Sequence, residues 1–268
     1  MKVNVAIMDD GHIVPRMAGW LHERLGWQLS ENIDPSADIN LYMPYLQWLR
    51  APNSGTRTAA WFTHFERGTR AKEILWRMAS EVITTPLVTA DMYLGMFNGN
   101  ARKIRMGVNR DMFDIIPGID RVGLGVAAVG QPRKGPQLLS ALIDSDYTVN
   151  YAGDWLDAGT WIPWDEMPQY YNGIETYVCT SLIEGGPAPV LEALSCGCKA
   201  VLPIGVGMMD ELPEMPGVRH YTAGNIADMM RAVDEATADE HDPQALRALT
   251  EPYSIDAFCE SVKAAISG

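Results

Sequence analysis

Nowhere in its 268 residues does the chain hold an apolar run of about 18 residues, the length a membrane-crossing helix needs. Its opening, Met1-Lys-Val-Asn-Val-Ala-Ile-Met8, is too short and too mixed for a secretory leader and ends in no small-residue cleavage site, so a cytoplasmic location is the expectation. Cysteine is scarce: Cys179, Cys196, Cys198 and Cys259 are the whole complement. Cys196-Gly-Cys198 has no second pair at zinc spacing, which argues against a metal site and for reduced, buried thiols. Internal repeats and low-complexity tracts are absent. Positive charge is sparse in one half of the chain. Residues 119–268 carry 8 Lys and Arg against 22 Asp and Glu, a net of −14, whereas residues 1–118 carry 13 against 12, a net of +1. An acidic second half repels nucleic acid and anionic membrane unless basic residues gather locally. The first half has two such gatherings, at Arg67, Arg70, Lys72 and Arg77 and at Arg102, Lys103, Arg105 and Arg110. They are read first as solvated faces, but a large anionic acceptor would bind there if anywhere.

What is present is an alternation of short apolar runs with helical patterns. Val3–Met8, Ile39–Met43 and Ala59–Thr63 read as strands, and Ile13–Leu25 and Arg70–Ala79 as helices. A short strand over Glu81–Thr84, a helix from Pro86 to Phe97 and a strand over Lys103–Met106 complete the first block. The Pro117-Gly118 turn within Ile115–Ile119 marks a domain boundary. The pattern then restarts, with strands at Val122–Val129, Thr148–Ala152, Ile174–Cys179, Ala200–Pro203 and Val218–Tyr221. Helices are expected at Gly135–Ile143, Ala188–Leu194, Ile226–Ala238, Ala245–Leu249 and Ser254–Ile266. This is an α/β chain with mainly parallel sheets and two domains, over residues 1–116 and 119–252, with a last helix in 253–268. Residues 154–168, with Trp155, Trp161 and Trp164, show no clear period and read as packing or as an aromatic wall.

The densest chemistry lies between Thr180 and Glu192. Glu184 leaves a strand end, Gly185-Gly186-Pro187 forms a turn, and Glu192 falls in about the first turn of the helix that follows. Glycines let a ligand approach the backbone, and a helix N-terminus offers amides to an anion. An anion on the amides with carboxylates on hydroxyls to either side suits a sugar nucleotide; an ordinary acidic helix cap is the plainer reading. Two other motifs are set aside. Gly123-Leu-Gly125 has neither the spacing nor the placement of a dinucleotide fingerprint, and Asp144-Ser-Asp146 follows a helix as a turn.

The run from Glu184 to Glu192 resembles the Glu-x7-Glu signature of retaining GT-B glycosyltransferases of family 4, including the following Glu-Ala-Leu-Ser-Cys-Gly. Gly205–Glu211 is similar to that family's Gly-Gly-x-x-Glu loop. Ala60-Trp-Phe-Thr-His64 resembles its histidine-ending strand, and Lys103–Phe113 the segment before its linker. Val129-Gly130-Gln131-Pro-Arg133-Lys134-Gly135 resembles the start of its second domain, and Tyr253–Phe258 its closing helix.

The resemblance implies a GT-B fold: two Rossmann-like domains facing a cleft, with the C-terminal helix crossing back to the first. It implies transfer of a sugar from a nucleotide-sugar donor, UDP- or GDP-linked, to a hydroxyl acceptor with retention of configuration and without a metal or other cofactor. Catalytic roles would fall to Glu184 on the sugar, His64 from the first domain and Lys134 on the leaving diphosphate. Donor binding would fall to Glu192 on the ribose, with Arg133, Gln131, Gly185, Gly186 and Pro187. Asp10, Gly11 and His12, after the first strand, would form a cleft loop or a plain turn. Departures are also plain: Gln131 stands where the family has arginine, Asn109 where it has aspartate, and the first domain is short. A catalytically silent nucleotide-sugar-binding or scaffold protein is therefore the alternative. The acceptor is open among small metabolite, lipid head group, glycan, protein and modified nucleic acid.

Overall fold

The computed structural model describes all residues except 8–12, 51, 53, 54, 67, 129 and 154–160. The chain divides into two compact units, one of Met1–Gly107 with Ile255–Gly268, the other of Val108–Ser254. The first unit opens with β1 (Val3–Ile7), α1 (Ile13–Leu25), β2 (Gln28–Ser30), β3 (Ile39–Met43) and β4 (Arg57–Trp61). It continues with α2 (Arg70–Val82), β5 (Thr85–Val88) and β6 (Arg102–Lys103). The second unit runs β7 (Leu124–Ala127), α3 (Pro136–Ile143), β8 (Val149–Ala152), α4 (Met167–Gly173), β9 (Thr176–Val178), α5 (Ala188–Ser195) and β10 (Lys199–Ile204). It ends with β11 (Val218–Thr222), α6 (Ile226–Ala238) and α7 (Pro243–Ala248), and α8 (Ile255–Ser267) rejoins the first unit.

Both sheets are parallel throughout. The first has the order β2-β1-β3-β4-β5-β6 and the second β11-β10-β9-β7-β8. A strand covered on both faces is buried along its length, and all five residues of β3 are buried, its one polar residue, Asn40, hydrogen-bonded to Asn4 and Thr56. The helices bury one stripe each. In α6 the stripe is Met229, Ala232, Val233 and Ala236, and the Asn225 side chain caps the helix by accepting from Asp228 N at 3.1 Å. In the first unit α8 lies on α1, with Phe258 edge-on to Trp20 at 6.2 Å and Ser261 accepting from Arg105 N at 3.0 Å.

Three expectations change. Residues 81–82 stay helical and the strand begins at Thr85, so Pro86 sits inside β5 instead of opening a helix; Asp91–Phe97 forms only a 3-10 turn. Sheet polarity permits this. Leu87 O accepts from Phe62 N on the β4 side and Val88 O from Ile104 N on the β6 side. By alternation, Pro86 faces β6, whose pairing begins only opposite Leu87, so its missing N–H leaves no ladder bond unmade. β2 and α4 carry too weak a pattern to be read from sequence. The Pro117-Gly118 turn lies inside the second unit, because residues 108–116 are tied there. Val108 N donates to Tyr253 O, Ile116 N to Asn172 Oδ1, and an Arg247 guanidinium N–H to Phe113 O at 2.8 Å.

Candidate functional site

In an open parallel sheet, ligands sit beyond the carboxyl ends of the strands where the winding reverses. In the second unit that switch lies between β7 and β9, which are neighbours although β8 intervenes in sequence. The chain leaving β7 supplies Gln131, Arg133 and Lys134; the chain leaving β9 supplies Thr180, Ser181 and Glu184. The two loops are sewn together. Leu182 N donates to Arg133 O at 2.7 Å, and the Thr180 hydroxyl to Lys134 O at 2.8 Å. Gly135 makes the close approach possible: its φ is +69°, and a Cβ there would lie 2.2 Å from Thr180 O.

Three donors converge on one carboxylate oxygen. The Lys134 ammonium, the Arg133 guanidinium at 3.2 Å and the Ser181 hydroxyl at 3.0 Å all donate to Glu184 Oε1. The Glu184, Arg133 and Lys134 side chains are 9%, 16% and 13% exposed, so these charges interact through little solvent. With two cations and one carboxylate, the cluster keeps a net charge of +1 inside a unit whose total is −14. Gln131 Oε1 accepts from Arg133 Nε at 2.8 Å and so steers the guanidinium. Behind Glu184, Gly207 at φ +61° packs where a Cβ would meet Gly185 O at 2.6 Å, and Met208 N donates to Gly185 O. The Gly205–Glu211 loop thus buttresses the Glu184–Gly185 backbone.

Glu192 is the fifth residue of α5, which begins at Ala188 as expected, with Pro187 as the N-cap. The residue is 6% exposed. Tyr171 donates to Oε2 at 2.9 Å, and the Trp164 indole N–H reaches Oε1 at 3.4 Å. Phe113 packs edge-on to both rings, at 5.8 Å from Trp164 and 5.9 Å from Tyr171. Trp164 is therefore more than packing. Ser181 could have been suspected from its position three residues before Glu184. Tyr171 could not, since nothing in sequence links it to a residue 21 positions on.

His64 belongs to the first unit, three residues past the end of β4. Its Nε2 lies 3.1 Å from Glu66 Oε1, which also accepts from Lys72. Burial pushes the Glu66 carboxyl up, but Lys72 and His64 together outweigh it and hold the group below its ordinary value. Asp10, Gly11 and His12 lie outside the described residues. Among the described residues no group of His, Cys, Asp and Glu is arranged to hold a metal, and no helix is long and apolar enough to cross a membrane. All four cysteines are free and buried, and burial pushes the Cys179 thiol up to about 11 and those of Cys198 and Cys259 to about 12. Gly125 is a packing glycine, with Ile174 Cδ1 2.1 Å from where its Cβ would stand, and Asp144 ends α3 in a turn.

The two parallel-sheet Rossmann-like units make up the GT-B fold of glycosyltransferases. HepE from Anabaena, solved with UDP, superposes with a TM-score of 0.73 at 12% identity over 100% of both chains. Sucrose-phosphate synthase from Thermosynechococcus elongatus gives 0.67 at 13% identity, over 97% of this chain and 79% of that one. The apo lipopolysaccharide outer core galactosyltransferase WaaB gives 0.68 at 11% identity, over 100% and 99%. No family model and no curated protein matches the sequence. The likeness is one of fold.

Proposed function

We propose that this chain is a retaining glycosyltransferase of the family-4 type, moving a sugar from a nucleotide-sugar donor to a hydroxyl acceptor without a metal. The observation that carries the reading is the convergence of Lys134, Arg133 and Glu184 at the switch point of the second sheet. A nucleoside diphosphate needs cationic neutralisation and a carboxylate for hydroxyls beside it, and both are there. HepE was solved with UDP and with UDP-glucose, which favours a UDP-linked donor for a chain of this fold.

Without donor, Glu184 neutralises part of the charge of Lys134 and Arg133. An arriving diphosphate competes for the same cations, and Glu184 turns to the sugar hydroxyls. As the bond from the anomeric carbon to the diphosphate oxygen breaks, negative charge builds on that oxygen, where Lys134, Arg133 and the α5 N-terminus stabilise it. The acceptor oxygen bonds to the anomeric carbon on the same face and passes its proton to the departing diphosphate, which balances the step. Glu184 and Glu192 are therefore not an acid and nucleophile pair. Glu192 takes the ribose hydroxyls, since a carboxylate accepts from two neighbouring donors. His64 is the first unit's catalytic residue. Its test is His64→Ala, which should lower kcat with the affinity for free nucleoside diphosphate unchanged.

The test of the function is hydrolysis or transfer from UDP- and GDP-sugars, with product configuration read by NMR. Sugar release with the anomeric configuration kept, lost in Lys134→Ala, supports the reading. Binding without turnover for every donor would favour the silent nucleotide-sugar-binding alternative.

A further inference from the structure

Two of the donors to Glu192 differ in kind. Tyr171 is wholly buried and gives its proton to Oε2 at 2.9 Å; Trp164 is half-buried and reaches Oε1 only at 3.4 Å. Burial, reinforced by the charge of Glu192, raises the Tyr171 hydroxyl well above its ordinary range, so it stays a donor at any working pH. Its ring is placed independently of Glu192. Phe113, Tyr170 and Tyr177 meet it edge-on at 5.9, 5.3 and 6.0 Å, and its carbonyl accepts from the Cys198 thiol. The adjoining Asn172 pins α4, donating to Asp114 O and Pro168 O and accepting from Ile116 N. A rigid, permanent donor thus fixes one oxygen of a carboxylate whose other oxygen carries a long, partly exposed contact.

We infer that Tyr171 is a positioning residue for ribose recognition, orienting Glu192 so that the donor's hydroxyls replace the Trp164 contact at Oε1. This rests on the reading of Glu192 as the ribose ligand. Tyr171 touches no substrate; it sets how the carboxylate faces the diol. A hydrogen bond to a charged group changes binding by roughly tenfold or more, and an unoriented carboxylate forfeits part of that.

The experiment measures dissociation constants for UDP and GDP and for their 2′,3′-dideoxy forms on the full chain. The readout is the ratio of dideoxy to parent. Wild type should show a ratio of at least about tenfold for the preferred base, and Glu192→Ala should bring it close to one. Tyr171→Phe keeps the ring and should cut the ratio several-fold while leaving the dideoxy constant unchanged; a merely structural role would weaken both nucleotides alike. Trp164→Phe should preserve or raise the ratio. A wild-type ratio in Tyr171→Phe, alongside a collapsed one in Glu192→Ala, overturns the role of Tyr171 and leaves the ribose reading intact. So does a collapse in Trp164→Phe without one in Tyr171→Phe. A ratio of one in wild type, or none of it lost in Glu192→Ala, defeats the ribose reading and the role of Tyr171 with it.

Discussion

Glu184 Oε1 is the point where the chemistry of this chain is most concentrated, since Lys134, Arg133 and Ser181 all spend a donor on it. Removing its charge frees two cations for an anionic ligand. Glu184→Gln should therefore tighten nucleoside diphosphate binding a few-fold, measured by calorimetry, while turnover falls by about a hundredfold because the sugar loses its partner. Lys134→Ala should weaken the same binding by roughly tenfold or more. It should also cost about 1–3 kcal/mol of stability, less than an isolated buried pair because Arg133 and Ser181 still hold the carboxylate. A second residue sets the acid limit. Burial and the nearby charges of Lys199 and Arg121 hold His241 below its ordinary value of 6.5, and its Nε2 is buried without a hydrogen-bond partner. In such a case the unfolded chain binds the proton more readily than the folded one. Stability is whole above the ordinary value and is lost as pH falls below it. The unfolding midpoint should drop as pH goes below 6.5 in wild type and drop less steeply in His241→Gln, as thermal scans across that range would read.

At the scale of elements, the site depends on how closely two strand-end loops approach. Gly135→Ala would place a methyl 2.2 Å from Thr180 O at a φ of +69°. It should cost about 1–3 kcal/mol from the backbone conformation alone, seen as a lower unfolding midpoint, and weaken nucleotide binding by moving Lys134. The elements that carry the site were largely legible in sequence. Short, mostly apolar runs announced β3, β7 and β10, and the helical pattern announced α6 to the residue. What escaped has physical causes. Pro86 suggested a helix start, yet in a parallel strand a proline is tolerated where its missing N–H faces no partner. α4 escaped because the irregular, tryptophan-rich stretch before it hides its start, and Tyr171 with it. The Glu184, Arg133 and Lys134 grouping was suggested by resemblance, but its pairing, cations on the carboxylate, is visible only once β7 and β9 lie side by side.

For the molecule as a whole, charge divides with the fold. The first unit holds 13 Lys and Arg against 12 Asp and Glu, and the second 8 against 22. On the proposed function an anionic donor binds to the more acidic unit, which general attraction cannot arrange. The proposed local device against that field is Lys134 and Arg133 at the end of β7. The most direct test is thermal unfolding against UDP and GDP with a chelator present, in wild type and Lys134→Ala. A ligand at about 100 times its dissociation constant adds roughly 2.7 kcal/mol, which for a chain of this size raises the midpoint by several degrees. The account predicts that rise for one base in wild type and its loss in the variant. No rise with either nucleotide, or a rise that survives Lys134→Ala undiminished, would contradict it.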